Sequence, residues 1–360
     1  MPIRFLPYLI AGALLALSVV EGLAPSTVEG AVTLRNLVAD RDDNPRSAWF
    51  ERYQESRQGP EQIDKVSQTI KVGDGAALDL SHLAGDVRVT GGAGSEIRID
   101  ATKRVRHRNE AEAKRLLDLL RVDINNFNGR VEVRTIYPRR SGSGRNSMSA
   151  SVDYVIAVPA GATVAVKSIS GDLTIANVRG EVRAEAISGN VNITNTPNVA
   201  LAKTVSGDVV ARDIGTQTAL VLGTVSGNVI GSGLKVRTLD AGTVSGDVRL
   251  SGSQIERLEA KSLSGNIEFD APLTKNGRYE FTSHSGDVRI ILSGNTGFEL
   301  DADTFSGNVR SDVPITLRAV GQTRPGERRS SPRAIRGSYG DASAILSVRS
   351  HSGSVVITKK

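Results

Sequence analysis

Nine copies of a repeat phrase centred on Ser-Gly lie between residues 168 and 354, each with Asp, Asn or Ser after the pair. In two copies a histidine precedes the serine, at His284 and His351. Serine beside imidazole suggests a nucleophile and its base. On a strand, however, sequence neighbours point to opposite faces, so the two groups cannot meet. Each histidine is instead expected to cap the core near one end of the repeat, with His284 against Phe305 one repeat away. His82 and His107 lack this context and receive no role. The residues after Ser-Gly are Asp172, Asn190, Asp208, Asn228, Asp247, Asn266, Asp287, Asn308 and Ser354. A column of carboxylates would suggest a metal ladder, but Asn at every second place sets the acids too far apart to share an ion. Glycan-cleaving β-helices line a groove with acids, often beside Arg or Lys. Here the outward strand residues are mixed, as in Thr174, Asn192, Val210, Arg249, Glu268 and Arg289. No catalytic residue, cofactor or metal site is expected.

The repeat dictates the elements that carry these residues. The Ser-Gly serines of successive copies lie 18, 18, 20, 19, 19, 21, 21 and then 46 residues apart. The residue before Ser-Gly is apolar in seven of nine copies: Ile169, Ile187, Val205, Val225, Val244, Leu263 and Phe305. The residue after Asp/Asn is β-branched or Leu throughout. This pattern reads as two inward-facing positions flanking a polar turn, whose glycine takes a conformation denied to other residues. The turn residues are Gly171–Asp172, Gly189–Asn190, Gly207–Asp208, Gly227–Asn228, Gly246–Asp247, Gly265–Asn266, Gly286–Asp287 and Gly307–Asn308. A strand–turn–strand unit of 18–21 residues has no room for a helix and cannot bury its apolar face alone. The implied fold is all-β, a parallel β-solenoid with rungs stacked at ~4.8 Å. Two carboxylates at that spacing repel by about 1 kcal/mol in water and about 3–4 at an effective dielectric of 20, so alternation with Asn supports the stack. A β-sandwich is the rival fold; it would not require near-identical turns at a constant period.

Upstream, the chain divides by texture. Met1–Arg4 followed by 16 uncharged residues reads as a signal peptide over 1–22, or as an N-terminal membrane anchor if it is retained. Residues 23–62 form a linker, with a short helix expected around Ser47–Ser56. Residues 63–159 alternate apolar and polar as strands, including a paired Gly129–Tyr137 and Ser151–Val158. Asn109–Val122 instead carries Ala113, Leu116, Leu117 and Leu120 at helical spacing, with Asn109 as N-cap. Residues 160–360 hold the solenoid, with a basic insertion at 321–337. A weaker copy of the repeat sits at Leu83-Ala-Gly-Asp-Val87. Ala342–Val348 and the C-terminal strand are expected to cover the exposed last rung.

The chain of 360 residues has no cysteine, 4% aromatic residues and a net charge of +6. These values exclude disulfides and thiolate chemistry, and disfavour an aromatic nucleic-acid platform. Positive charge gathers in two Ser/Gly/Pro-rich stretches, at Arg139, Arg140 and Arg145 and at Arg324, Arg328, Arg329, Arg333 and Arg336. They are expected either to be solvated or to contact an envelope polyanion or acidic glycan.

The Ser-Gly-Asp/Asn phrase, Leu83-Ala-Gly-Asp-Val-Arg-Val, Ala101-Thr-Lys, the 109–122 helix, Val158-Pro-Ala-Gly161 and the Ile335-to-Ile357 ending together resemble a widespread bacterial family. It is known as putative adhesins, a β-strand-repeat domain of unknown function. The resemblance implies an exported or membrane-associated β-rich scaffold, and it carries over no catalytic or ligand-binding residue. The expected function is a non-enzymatic scaffold or adhesin-like protein of the cell envelope: periplasmic, cell-surface or secreted. A binding module for acidic glycan and a cryptic carbohydrate-active enzyme are the alternatives.

Overall fold

The computed structural model describes residues 60–73, 75–138, 149–317 and 334–360. The segment expected to be a signal peptide and most of the expected linker, including the helix expected near Ser47–Ser56, lie outside the described residues. So do Arg139, Arg140, Arg145, Arg324, Arg328, Arg329 and Arg333.

The described strands begin with β1 (Glu61–Lys71), β2 (Ala77–Ala84), β3 (Val87–Gly92) and β4 (Glu96–Arg106). Helix α1 (Glu110–Leu119) follows, then β5 (Arg121–Phe127), β6 (Arg130–Ile136) and β7 (Ser149–Pro159). The repeats supply strand pairs: β8 (Thr163–Ser170) with β9 (Leu173–Ala176), and β10 (Val182–Ser188) with β11 (Val191–Thr194). Next come β12 (Val199–Lys203) with β13 (Val209–Arg212), and β14 (Gly215–Gly223) with β15 (Val229–Ser232). Then come β16 (Lys235–Ser245) with β17 (Val248–Ser251), and β18 (Gln254–Ser264) with β19 (Ile267–Ala271). The last are β20 (Arg278–Ser285) with β21 (Val288–Leu292), β22 (Phe298–Ser306) with β23 (Val309–Ser311), β24 (Thr316–Leu317), β25 (Ile335–Tyr339), and β26 (Ala344–Ser352) with β27 (Val355–Lys359).

Each repeat lays its first strand in one sheet, turns at Ser-Gly-Asp/Asn and lays its second strand in the other. Both sheets propagate by parallel pairing in register, as where Val191 faces Leu173 on one side and Val209 on the other. The chain is a β-solenoid of two long, mostly parallel sheets. Between them runs one apolar core. The residue after Asp/Asn is fully buried at Leu173, Val191, Val209, Val229, Val248, Ile267, Val288 and Val355. Each such side chain contributes roughly 1.5–3 kcal/mol on leaving water. Strands before residue 160 join the same two sheets, and β2–β3 turns at Leu83-Ala-Gly-Asp as a further rung.

Three sequence expectations change. The strands expected to pair at Gly129–Tyr137 and Ser151–Val158 lie in opposite sheets; β6 pairs with β2 and β5, and β7 with β3 and β4. The residue before Ser-Gly points outward, not inward. Alternation from the buried residue after the corner is broken by the corner itself, so the inward place falls one residue earlier. Finally, the C-terminal strands do not cover the last rung. β26 and β27 insert between the β20–β21 rung and the β22–β23 rung, pairing in parallel with both. The outermost rung is therefore β22–β23, and β25 with β24 closes its long-sheet edge antiparallel. The opposite end inverts likewise: β3 lies between β7 and β9. There β4 and β1 pair antiparallel beyond β7, and β5 beyond β6. Antiparallel closing strands and a three-residue edge at β23 limit sheet-to-sheet association.

Helix α1 begins where expected. Asn109 Oδ1 accepts from the backbone N–H of Ala111 at 2.9 Å and of Glu112 at 3.3 Å. The helix packs on β1 and β4 through its buried Ala113 and Leu117. Among the described residues no helix is long and apolar enough to cross a membrane.

Candidate functional site

The repeat corner is built from three stacked columns. The first consists of hydroxyls two residues before Ser-Gly, buried as Thr204, Thr224, Thr243, Ser262, Ser283, Thr304 and Ser350. Each donates to the corner-glycine carbonyl of an adjacent rung: Thr204 to Gly189, Thr224 to Gly207, Thr243 to Gly227 and Thr304 to Gly353, all at 2.9 Å. Ser262 reaches Gly246 at 3.1 Å, and Ser283 and Ser350 reach Gly265 and Gly286 at 3.4 Å. The hydroxyl thus supplies a donor to a carbonyl that lies against the glycine of the next rung.

The second column is the Asp/Asn series. From Asp86 to Asp287 each side chain accepts, through Oδ1, the backbone N–H of the equivalent residue on the next rung. The series runs Asp86 to Asp172, Asp172 to Asn190, Asn190 to Asp208 and Asp208 to Asn228, at 2.7–2.9 Å. It continues from Asn228 to Asp247, Asn266 and Asp287, and ends on Ser354, at 2.7–3.0 Å. Amide-to-carboxylate bonds supplement it where Asn190 and Asn228 donate from Nδ2 to Asp172 and Asp208, both at 3.2 Å. Strict alternation fails at one end, where Asp153, Asp86 and Asp172 are consecutive; there Arg104 forms an ion pair with Asp153.

Between these columns lie the corner glycines. Gly246 has φ +141°, and a Cβ there would sit 2.0 Å from the carbonyl oxygen of Gly227 on the rung below. Both the conformation and the approach exclude any side chain.

The third column is the outward residue before Ser-Gly. Leu83, Ile169, Ile187, Val205 and Leu263 are 38–51% exposed, and Val225 and Val244 partly so. The column continues through His284 and His351 to Phe305, which is 71% exposed. The ring centroids of His284 and His351 are 4.7 Å apart and those of His351 and Phe305 are 4.9 Å apart, each pair tilted by only 2°. The histidines are thus exposed members of a surface stack rather than caps on the core. His351 separates His284 from Phe305 because of the inserted C-terminal rung. Among the described residues, neither imidazole hydrogen-bonds a serine.

His82, which carried no sequence expectation, occupies the hydroxyl column in register with Ser168. It is buried, its Nε2 lies 3.1 Å from the Gly85 carbonyl, and its ring meets Tyr154 edge-on at 5.2 Å. Burial holds its pKa below the ordinary 6.5, against a partial opposing effect of the Gly85 hydrogen bond. The hydroxyl column itself was visible in the sequence, since eight of nine copies carry Ser or Thr there. Among the basic-stretch arginines, Arg336 lies in β25, its Nε 2.9 Å from Asp301 Oδ1. Among the described residues no three His, Asp or Glu side chains converge to hold a metal ion.

A family model, Toastrack DUF4097, matches residues 76–358, covering the stacked corners from Leu83-Ala-Gly-Asp to Ile357. The chain belongs to the Toastrack family. Several solved structures resemble this Toastrack chain at low identity. A putative adhesin from Bacteroides fragilis is 10% identical, with 82% of this chain and 97% of that one covered and a TM-score of 0.36. A putative lipid binding protein from Parabacteroides distasonis is 12% identical, with 82% and 96% covered and a TM-score of 0.35. A putative cell adhesion protein from Clostridium sporogenes is 10% identical, with 83% and 100% covered and a TM-score of 0.20. No curated protein matches the chain.

Proposed function

We propose that this Toastrack protein is an exported, non-enzymatic scaffold of the cell envelope, acting as an adhesin-like display rod. One observation carries the reading: the hydroxyl and Asp/Asn columns hold rung to rung, while the variable residue before Ser-Gly, apolar at most rungs and histidine at two, faces outward in a column from Leu83 to Phe305. The hydroxyls two residues before Ser-Gly bond glycine carbonyls and the Asp/Asn side chains bond backbone N–H groups, so these two columns serve architecture. A stiff core presenting one residue per rung at ~4.8 Å suits contact with an extended surface. The leader-like segment at 1–22 supports export.

The test is fractionation of cells making the full chain, with mass spectrometry of its N-terminus and a surface-attachment assay against a deletion strain. Recovery in the envelope or medium without residues 1–22, or held there by them, is the expected outcome, together with weaker attachment of the deletion strain. Recovery in the cytoplasm beginning at Met1, with unchanged attachment, refutes the proposal.

A further inference from the structure

On the outer face of the longer sheet, far along the strands from the Ser-Gly corners, a cleft of about 300 Å³ opens between rungs. Three arginines, Arg237, Arg257 and Arg278, and one acid, Glu256, line it, with Asn276, Thr238 and Ile345. Its origin is a local break in the solenoid. β16 and β18 pair from their first residues, Lys235 with Gln254 and Val236 with Ile255. β18 and β20 pair only from Arg257 with Arg278 onward, because the chain before β20 leaves the stack in a turn at Thr274–Gly277. The Ile255 carbonyl, which an added strand would have paired, is taken by the buried Tyr279 hydroxyl at 2.6 Å and by Thr274 Oγ1 at 3.1 Å. The turn is pinned further by the Thr274 N–H, which donates to the Tyr279 hydroxyl at 2.8 Å. The Asn276 N–H likewise donates to the Ser343 carbonyl at 2.9 Å. The opening is thus fixed by hydrogen bonds on its inner side.

The charge inside it is unbalanced. Arg257 and Arg278 are direct neighbours across two parallel strands, so their Cα atoms lie ~4.8 Å apart. Glu256 is 3.8 Å from Arg237, the third arginine. Two acids stand two residues farther along the same strands, but both have other cations. Glu259 pairs with Lys261, and Glu280 lies 3.8 Å from Arg349. Among the described residues the side chains of Arg257 and Arg278 have no hydrogen bond or ion pair. Two adjacent guanidiniums lacking a counter-ion repel, and they present a forked donor array suited to an oxyanion.

We propose that this cleft binds a sugar unit carrying a carboxylate or phosphate, the oxyanion held by Arg257 and Arg278. Asn276 and Thr238 supply neutral partners for ring hydroxyls, and Ile345 offers an apolar wall for a ring face. The volume falls at the small end of ligand pockets, about 300–1,000 Å³. With Ile345 as the one exposed large apolar side chain of the lining, the cleft offers no seat for acyl chains, which favours a glycan over a lipid. The proposal deepens the display-rod reading by giving the rod a ligand class. Its test uses purified protein, so it can fail while that reading, tested in cells, stands.

Calorimetric titration of the full chain with trigalacturonate, glucose 6-phosphate and maltotriose, and sedimentation with phosphatidylglycerol vesicles, separates the sources of the anion. Binding of at least one anionic sugar is expected, with none of maltotriose. The R257Q/R278Q double variant should bind at least about tenfold more weakly. R289Q, on the other sheet, should bind like the parent. Both side chains are exposed, so unchanged melting curves establish that the double variant is folded, and R257K/R278K should recover part of the affinity. The proposal is overturned by absence of binding to both anionic sugars, by equal binding in folded R257Q/R278Q, or by arginine-dependent binding of vesicles alone.

Discussion

Replacing Asn228 by Asp isolates the electrostatics of the corner column. The substitution keeps shape and acceptor, so the Asp247 N–H, 3.0 Å from Oδ1, retains its partner. It changes one neutral group between Asp208 and Asp247 into a third consecutive carboxylate. Two new like-charge contacts appear at ~4.8 Å, each about 1 kcal/mol in water and about 3–4 at an effective dielectric of 20. All three side chains are half-buried, so roughly 1–2 kcal/mol per contact is apt. The amide bond from Asn228 Nδ2 to Asp208, 3.2 Å long, disappears too. Asn228→Asp should therefore lose about 2–4 kcal/mol of unfolding free energy at pH 7. Like-charge neighbours raise the new carboxyl's pKa in the folded state above its unfolded value near 3.9. The variant is then relatively most stable below that value and loses stability as pH rises through the folded pKa. Urea unfolding at pH 7 and near pH 4 checks this: the gap between parent and variant should narrow sharply in acid. A gap that is absent at pH 7, or equal at both pH values, would refute the claim that alternation serves to separate charge.

Two further outcomes follow from the hydroxyl column. Thr224→Val removes the donor to the Gly207 carbonyl, 2.9 Å away, and should cost about 1–2 kcal/mol in urea unfolding, whereas Thr224→Ser should cost little. His82, whose pKa burial lowers, binds its proton more weakly folded than unfolded, so it contributes a loss of stability as pH falls below about 6.5. His82→Thr should flatten the stability curve between pH 7 and 5.5, and parallel curves for parent and variant would show that His82 plays no part in it.

The solenoid was legible because its period is short and its corner chemistry is repeated almost verbatim. Gly171, Asp172 and their equivalents announce a turn, and the β-branched residue after each announces a core. The inside and outside of the other strand were harder to assign. Thr204 and Thr224 are polar by type yet buried, while Ile187 and Leu263 are apolar yet exposed. Hydrophobicity alone inverts that assignment, because the inward hydroxyl is satisfied by a carbonyl from the neighbouring rung, a partner remote in sequence. The arginine cleft was hidden for a related reason. Arg237, Arg257 and Arg278 come from three successive turns of chain at 20- and 21-residue separations, and only the strand register places them together.

The inverted ends explain the one spacing that broke the period. A gap of 46 residues suggests an insertion within an otherwise sequential stack. Instead, the chain builds β22–β23, passes outside it, and returns to lay β26–β27 underneath. The returning rung makes parallel ladders on both sides, and Ser354 and Gly353 accept and donate within the same corner columns as the internal copies. An ordinary terminal rung has one face of backbone groups unpaired and frays easily. Here the C-terminal strands are paired on both sides, and the exposed edge falls on an interior stretch of sequence closed by β25, with Arg336 fastened to Asp301. Fraying of the outermost rung therefore begins at β22–β23 and β25, because β26 and β27 are locked one layer in.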